Sequence, residues 1–411
     1  MRSFDIPDHF RSPIISKVKD KRKELDARKL DFSPTLLDFG AVKIQLARHF
    51  GFCFGVENAI EISYKAIFEN PGKRIFLLSQ MIHNPEVNED LESRGVRFLM
   101  DTKGRELTPL REVQPDDIVI IPAFGTSLEM EAKLNAIGVD CKKYNTTCPF
   151  VERVWNRAYK LGDENYTVII HGKPDHEETR ATFSHASQAG AALVVSDLGE
   201  ALALASLMAN KDAVHVEKTF SEMFHGRVSP GFEFSRDLEN IGVVNQTTMI
   251  ASETQEIADL LKKASKGFAN TKDTLCYATN DNQKATLGAL DEGGADLVIV
   301  VGGYNSSNTS HIVEICEKKK PTFFIRNELE MKEGGVIEHF DIHKQALVSS
   351  EGFMSELFDL ERVPTILLTS GASCPDASLE RVLHKILGRF DCGKDVDSVL
   401  NNWALNLGSD S

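Results

Sequence analysis

The chain has 411 residues, of which 42% are hydrophobic, and carries a formal net charge of −14 at neutral pH. A chain of this length and composition can bury several cores, and its acidity argues against nucleic acid or an anionic membrane surface as a partner, because both would repel it. No run of about 18 apolar residues appears, and the charged N-terminal segment has no apolar stretch, so we predict no membrane helix, signal peptide or transit peptide.

The seven cysteines are an odd number and include no Cys-x-x-Cys pair. A disulfide framework of a secreted protein is therefore not indicated, and a reducing cytoplasm is the predicted compartment. The absence of Cys-x-x-Cys pairs also argues against a zinc ribbon, a thioredoxin-type redox site and the closely spaced cysteine motif of a ferredoxin-type iron-sulfur cluster. Any metal site must be assembled from cysteines that lie far apart in the sequence.

In chain order, a charged and partly helical extension over residues 1–42 precedes a repeated pattern. In this pattern a β-branched apolar run ends in a short polar turn, and an amphipathic helix follows. The clearest cases are "DIVIIPAFGTSLEMEAKLNAIG", "YTVIIHGKPDHEETRATFSHA", "IGVVNQTTMIASETQEIADLLKKAS", "DLVIVVGGYNSSNTSHIVEICEKKK" and "TILLTSGASCPDASLERVLHKILGR". They predict an α/β fold with mostly parallel sheets, in which ligands bind at the carboxyl ends of the strands.

Three cysteines lie at such positions, roughly one domain length apart. Cys53 follows a predicted strand, Cys148 follows the strand-like "VDCKKYN", and Cys276 precedes a helix. Pro149 suits the first position of a helix, whose amide groups would favour a Cys148 thiolate. For each single cysteine the alternative is a small buried core residue, and this alternative is preferred for three others, Cys141, Cys316 and Cys392.

The chain is therefore predicted to form three small α/β domains, each with one such cysteine. The predicted boundaries are 1–42 for the extension, 43–147, 148–275 and 276–390 for the domains, and 391–411 for a C-terminal tail. The irregular stretch near 211–240 is predicted to be an insertion in the second domain.

Eight motifs then occur in the order found in one family. They are "GFCFGV", "HNPEVNEDL", "NTTCPFV", "HEETRAT", "NQTTM", "LCYATNDNQ", "GGYNSSNTSHI" and "TSGASCPDASLE". The chain resembles the LytB-type iron-sulfur family of 4-hydroxy-3-methylbut-2-enyl diphosphate reductases from about residue 43 to residue 390. The resemblance implies a pseudo-threefold arrangement of three α/β domains around a [4Fe-4S] cluster, with one open iron and the ligands Cys53, Cys148 and Cys276.

The resemblance further implies reductive removal of the hydroxyl group from an allylic diphosphate, giving isopentenyl and dimethylallyl diphosphate. This is the last step of the non-mevalonate isoprenoid pathway, with ferredoxin or flavodoxin as the electron donor. Glu178 is implied as the catalytic proton donor. The implied substrate-binding residues are His83, His176, Thr247, Ser306, Ser307, Asn308 and Ser373.

Each of these assignments has a simpler alternative. The serines before helices are also ordinary N-caps, and an acidic first helical turn is also favoured by the helix dipole. Phe124 departs from the shorter family members, which have a histidine there; longer members are similar to this chain, and Thr126 or Ser127 could take over its phosphate contact. The alternative functions are a quinolinate-synthase-like [4Fe-4S] dehydratase and a non-catalytic iron-sulfur redox protein.

Overall fold

A computed structural model describes residues 4–210, 215–269, 274, 276–292, 294–358 and 360–406. The helices, in chain order, are α1 Pro13–Leu25, α2 Phe54–Glu69, α3 Pro85–Ser93, α4 Leu128–Ile137, α5 Pro149–Asp163, α6 Glu177–Ala189, α7 Leu198–Ala209, α8 Val216–Met223, α9 Phe234–Asp237, α10 Ala251–Ala264, α11 Tyr277–Glu292, α12 Ser307–Glu317, α13 Ser355–Phe358, α14 Asp376–Leu387 and α15 Val396–Asn406.

The strands are short and lie between these helices. They are β1 Thr35–Asp38, β2 Lys43–Leu46, β3 Ile75–Leu77, β4 Val96–Phe98, β5 Ile118–Ile120, β6 Thr167–His171, β7 Ala192–Val195, β8 Asn240–Asn245, β9 Gly267–Ala269, β10 Leu297–Val301, β11 Thr322–Ile325, β12 Ile337–Asp341, β13 Ala346–Ser350 and β14 Thr365–Ser370. Short 3₁₀ turns occur at Asp8–Phe10, Leu110–Glu112, Glu328–Glu330 and Glu333–Gly335.

The contact pattern divides the chain into two compact units. The first unit comprises Met1–Phe54, His83–Pro85 and Tyr277–Ser411. It contains an antiparallel pair of β12 and β13 and a larger sheet with the strand order β1-β2-β14-β10-β11. β1 pairs with β2 antiparallel, whereas all the other pairs in this sheet are parallel. Every residue of β10 and β14 is buried, as expected for strands that are covered on both faces.

The second unit comprises Gly55–Ile82 and Glu86–Cys276 and contains two further sheets. Their strand orders are β4-β3-β5 and β7-β6-β8-β9, and all their pairs are parallel. Part of the stretch predicted to be inserted packs on the second of these sheets, where Phe220, Phe224 and Phe234 join the core formed by β6, β7 and β8.

Local sequence explains where the helices begin and end. The hydroxyl of Ser127 accepts a hydrogen bond from the Met130 amide at 3.3 Å and caps α4, and the helix ends at Gly138 with a φ of 97°. In the extension, the Ser12 hydroxyl caps α1 by accepting from the Ile15 amide at 2.8 Å. The predicted helical part of the extension is thereby confirmed.

The predicted α/β class with mostly parallel sheets is confirmed, and each of the five strand-helix patterns forms a strand followed by a helix. The strand predicted in "VDCKKYN" is wrong: these residues form turns, and only Asn145 makes an isolated bridge, to Ile121. Asp140, Lys142 and Lys143 are exposed charged residues, so the segment does not offer the apolar face that a buried strand needs. The domain boundaries stay predictions. In the part of the chain that the structure describes, no helix is long and apolar enough to cross a membrane.

Candidate active site

In the first unit, three loops meet at the carboxyl ends of the neighbouring parallel strands β2, β14 and β10. The Cys53 amide donates to the carbonyl oxygen of Ala372 at 3.2 Å, and the Ala372 amide donates to Oδ1 of Asn308 at 2.9 Å. The Ser373 hydroxyl lies 3.3 Å from both the Ser306 hydroxyl and the His83 carbonyl oxygen. The structure therefore brings together all the site residues that the sequence predicts in this unit.

Two glycines allow the close approach of these loops. A Cβ atom at Gly303 would lie 2.4 Å from the carbonyl oxygen of His83, and one at Gly371 would lie 2.0 Å from Oγ1 of Thr309. Both distances are shorter than any ordinary contact of a Cβ atom. The glycines of "VGGYN" and "TSGAS" are thus required where backbone packs against backbone or a fully buried side chain.

Hydrogen-bond donors accumulate at this edge without a partner in the described structure. The Ser307 hydroxyl and the Asn308 Nδ2 group have none, although each residue is only 4% exposed. Buried polar groups are rarely left unsatisfied, so such a cluster at the start of a helix marks a place where an anionic ligand would supply the missing acceptors.

In the second unit, a carboxyl group is buried at the carboxyl end of the β6 and β8 strands. Glu178 lies in the first turn of α6 and is 1% exposed. Its Oε1 accepts from the Thr247 amide at 2.5 Å, and its Oε2 lies 2.9 Å from the Thr247 hydroxyl. Burial raises the pKa of Glu178 from 4.5 to about 7, against the lowering effect of the Thr247 hydrogen bonds.

This pKa makes the stability of the protein depend on pH. Because the folded pKa of Glu178 lies above the unfolded value, its contribution to stability is complete at acidic pH and is lost as the pH rises through the folded value. We expect the wild type to lose about 2–3 kcal/mol of unfolding free energy relative to Glu178→Gln between about pH 5 and pH 8. Urea unfolding of both proteins at the two pH values measures this, and a difference that does not change with pH would contradict the raised pKa.

Glu178 is connected to two further predicted residues. Nδ1 of His176 accepts from the Glu178 amide at 3.2 Å, which leaves the proton of a neutral imidazole on Nε2. The Phe124 ring packs edge-to-face on His176, with the ring centroids 5.5 Å apart. The departure at Phe124 therefore places an aromatic ring against His176. The residue before Phe124, Ala123, accepts a hydrogen bond from the Cys148 amide at its carbonyl oxygen, at 2.9 Å.

The three predicted ligand cysteines share a local setting. Cys53, Cys148 and Cys276 are each half-buried and each immediately precede a helix, α2, α5 and α11 respectively. Pro149 is the first residue of α5, as predicted. Cys53 belongs to the first unit, whereas the other two belong to the second. Among the described residues, no three His, Cys, Asp or Glu side chains are grouped as ligands of a metal ion.

The cysteines predicted to be structural differ in this respect. Burial raises the pKa of Cys141 to about 11 and raises that of Cys316 further, and it also raises the pKa of Cys392. Cys316 lies on the buried side of α12 and is fully buried. Thiols of this kind rarely ionise and are poor metal ligands.

Sequence reasoning missed two residues that hold these loops. Oε1 of Gln246 accepts from the Lys173 amide at 3.1 Å and from the Thr179 hydroxyl at 3.0 Å, which ties the turn before His176 to the end of β8. The Thr309 hydroxyl lies 2.9 Å from that of Ser306 and fills the space beside Gly371. Both residues lie inside motifs that carry the resemblance, and that is the signal that could have found them.

A family model described as LytB protein matches residues 44–387, which is most of the chain. The chain belongs to the LytB family. It is 38% identical over 361 residues to a protein of Synechococcus sp. strain CC9311, and the match covers 85% of this chain and 86% of the relative. It is 39% identical over 366 residues to one of Synechococcus sp. strain RCC307, with 86% of each chain covered. Both relatives are named 4-hydroxy-3-methylbut-2-enyl diphosphate reductase.

Two solved structures have a similar fold. One is an (E)-4-hydroxy-3-methyl-but-2-enyl diphosphate reductase described as the terminal enzyme of the non-mevalonate pathway; it is 24% identical with a TM-score of 0.51, covering 84% of this chain and 99% of that one. The other, a reductase from Plasmodium falciparum, is 21% identical with a TM-score of 0.60, covering 83% and 86%. The family model and the two relatives confirm the predicted family and the prediction that this LytB protein is an enzyme of the oxidoreductase class.

Proposed function

We propose that this LytB protein reduces (E)-4-hydroxy-3-methylbut-2-enyl diphosphate to isopentenyl and dimethylallyl diphosphate. The observation that carries the proposal is the buried pair of Glu178 and Thr247, because burial raises the pKa of this carboxyl group to about 7 and so leaves a protonated fraction near neutral pH. Loss of a hydroxyl group as water requires such a proton. Within a family whose relatives are named for this reductase, the pair fits the proton-delivering side of the reaction.

The cysteine set fits an iron-sulfur cofactor. Thiolates are the usual ligands of iron-sulfur clusters, and Cys53, Cys148 and Cys276 are the cysteines whose positions before helices favour the thiolate. We assign them as the three ligands of a [4Fe-4S] cluster with one open iron. When bound, such a cluster supplies electrons and, at the iron without a protein ligand, a Lewis acid for the substrate hydroxyl.

The diphosphate is assigned to the first unit. The unpartnered donors of Ser307 and Asn308, the hydroxyl groups of Ser306 and Ser373, and the N-terminus of α12 together provide neutral hydrogen-bond donors for a dianionic group. They are needed because the net charge of −14 would otherwise repel the substrate. The backbone carbonyl oxygen of His83 lies beside the Ser373 hydroxyl, so the loop that carries His83 borders this set of donors.

The proton for the departing hydroxyl group comes from Glu178. Its Oε2 faces the Thr247 hydroxyl, which can accept this proton and pass on its own, so the two groups form a short relay. His176 keeps Nε2 protonated and donates a hydrogen bond toward the substrate. The reaction consumes two electrons and two protons. One proton leaves in water, and the other adds to one of the two terminal carbons of the allylic system. The choice of carbon determines which of the two products forms.

The electrons are assigned to an outside donor, as the resemblance to this family implies; the sequence has neither a GxGxxG nor a GxxxxGK[ST] motif. A small one-electron carrier, ferredoxin or flavodoxin, is the proposed partner, and a reducing compartment such as the cytoplasm is the proposed location. Anaerobic reconstitution with iron and sulfide, followed by an assay with the allylic diphosphate and a chemical reductant, tests the function. A reconstituted protein that gives neither product would contradict it.

Replacing Asn308 or Ser373 by alanine is expected to weaken diphosphate binding by about 1–3 kcal/mol each, as for the loss of a hydrogen bond to a charged group. Calorimetric titration with the substrate measures the change. Ser310→Ala is the matched control, because Ser310 lies on the same helix and is only half-buried. Binding of the free alcohol, which lacks the diphosphate, should be the same in all these proteins; a parallel loss for the alcohol would argue against this assignment.

A further inference from the structure

The loop that carries Cys53 is covered by aromatic side chains from the N-terminal extension. Phe52 and Phe54 flank the cysteine in the sequence. The Phe10 ring meets Phe52 edge-on at a centroid distance of 6.0 Å, and the Phe4 ring meets Phe54 in the same manner at 4.9 Å. Phe10 is 1% exposed and Phe4 is 7% exposed, so both rings of the extension are buried at these contacts. Each neighbour of Cys53 thus has its own partner in the extension.

A second contact to the same loop comes from helix α1 of the extension. Nζ of Lys19 in α1 bonds both carboxylate oxygens of Asp376, at 2.7 and 2.8 Å, and lies 4.8 Å from the centroid of the Phe50 ring. Gly51 packs against this ion pair with a φ of 78°, and a Cβ atom there would lie 2.3 Å from Oδ1 of Asp376. A residue with a side chain could therefore not replace Gly51, two positions before Cys53, without displacing this ion pair.

The extension is itself well held. The Arg11 side chain donates to the carbonyl oxygens of Phe4 at 2.9 Å and Ile6 at 3.3 Å, and these bonds hold residues 4–6 against Arg11. Ile15 and Val18 of α1 are buried in the main core of the first unit. Phe4, Phe10 and Lys19 are therefore presented to the Cys53 loop from a folded support.

We propose that residues 4–19 form an N-terminal clamp that positions Cys53 and protects it from solvent and oxidants. Phe4, Phe10 and Lys19 are positioning residues, because they act on the thiol only through Phe50, Phe52, Phe54 and Asp376. The inference rests on the proposed function in that Cys53 is taken as a cluster ligand. The family model begins at residue 44, so the clamp lies outside the part of the chain that the model matches.

The physical reason is that a ligand on a loop is lost or oxidised when the loop opens locally. The population of the open state rises as contacts that hold the loop are removed. Edge-to-face aromatic pairs stabilise more than their buried area alone, and a partly buried ion pair adds to them. The clamp thereby lowers the fraction of time for which Cys53 is accessible.

The test uses the full chain without its cluster, so that the thiol itself is measured. Iodoacetamide labelling followed by peptide mass spectrometry gives separate rates for Cys53 and Cys148. In the double variant Phe4→Leu/Phe10→Leu we expect the Cys53 rate to rise about tenfold while the Cys148 rate stays the same. Leucine keeps an apolar side chain at both positions and thereby the fold. Lys19→Met should act in the same direction without changing an aromatic contact.

Phe224→Leu is the matched control, because Phe224 is 1% exposed like Phe10 but belongs to the core cluster of the second unit. It should leave both labelling rates unchanged. In the reconstituted protein, the visible absorption of the cluster should decay faster in air for the clamp variants than for this control. Unchanged Cys53 labelling in the double variant, or an equal rise at Cys148, would overturn the clamp. Full iron content in Cys53→Ser would instead overturn the ligand assignment, which the labelling rates do not depend on.

Discussion

Turnover of the reductase should fall by about 10²- to 10⁴-fold when Glu178 is replaced by glutamine, the usual contribution of a positioned general acid. The change keeps the local geometry. The glutamine Oε1 can still accept from the Thr247 amide, and its Nε2 can donate to the Thr247 hydroxyl, so both contacts of the carboxyl group are preserved. What is lost is a proton of suitable acidity. Substrate affinity should therefore remain within a few fold of the wild type.

Single-turnover kinetics with chemically reduced protein measure this effect without interference from the electron donor. Glu177→Gln is the matched control, since Glu177 is the neighbouring carboxyl group in the same helical turn and is also buried. It should retain most of the activity. Thr247→Val removes the hydroxyl group and keeps the backbone amide, and should give an intermediate loss. If Glu178→Gln kept its activity with substrate bound, the proton would have to come from another group, with His176 the first to examine.

The fold was predictable wherever one short segment determined its own structure. The apolar runs of β6, β10 and β14 are long enough and flanked by clear enough turns that strand and following helix could both be read. The pairing of these strands was not readable in the same way. β2, near the start of the chain, pairs with β14, near its end, and nothing local in "VKIQL" selects that partner. Which distant strands pair depends on how the side chains of complete sheets and helices pack together, and the local sequence of one strand does not carry that information.

The candidate site shows the same division. Glu178 could be named from its motif, but the raised pKa that makes it useful comes from its burial in the folded protein, where its hydrogen-bond partner Thr247 is 69 residues away in the sequence. Likewise, Ser306 could be read as an N-cap or as a ligand, and the structure shows that it caps α12 through the Thr309 amide at 3.3 Å. The neighbouring Ser307 and Asn308 are the residues that keep unpartnered donors in the described structure. Type and spacing suggested the chemistry, whereas burial and partners came only from the fold.

Replacing any one of Cys53, Cys148 or Cys276 by serine should abolish stable loading of the cluster. A serine hydroxyl is a harder and far less acidic ligand than a thiol, so it leaves the iron at that position open to exchange and oxidation. The loss should be nearly complete for each of the three, because a cluster held by three ligands has no spare one. Iron and sulfide content per chain after anaerobic reconstitution measures the effect, together with the visible absorption of the cluster.

The controls are Cys141→Ala and Cys316→Ala, whose thiols are buried and have raised pKa values. These changes remove a buried sulfur and should lower stability somewhat, but iron content should stay at the wild-type level. Ranking the variants by iron rather than by activity separates the two roles, because a destabilised protein that folds still binds its cluster. Iron loss in a control equal to that in Cys53→Ser would mean that burial and helix position do not distinguish the ligands in this chain.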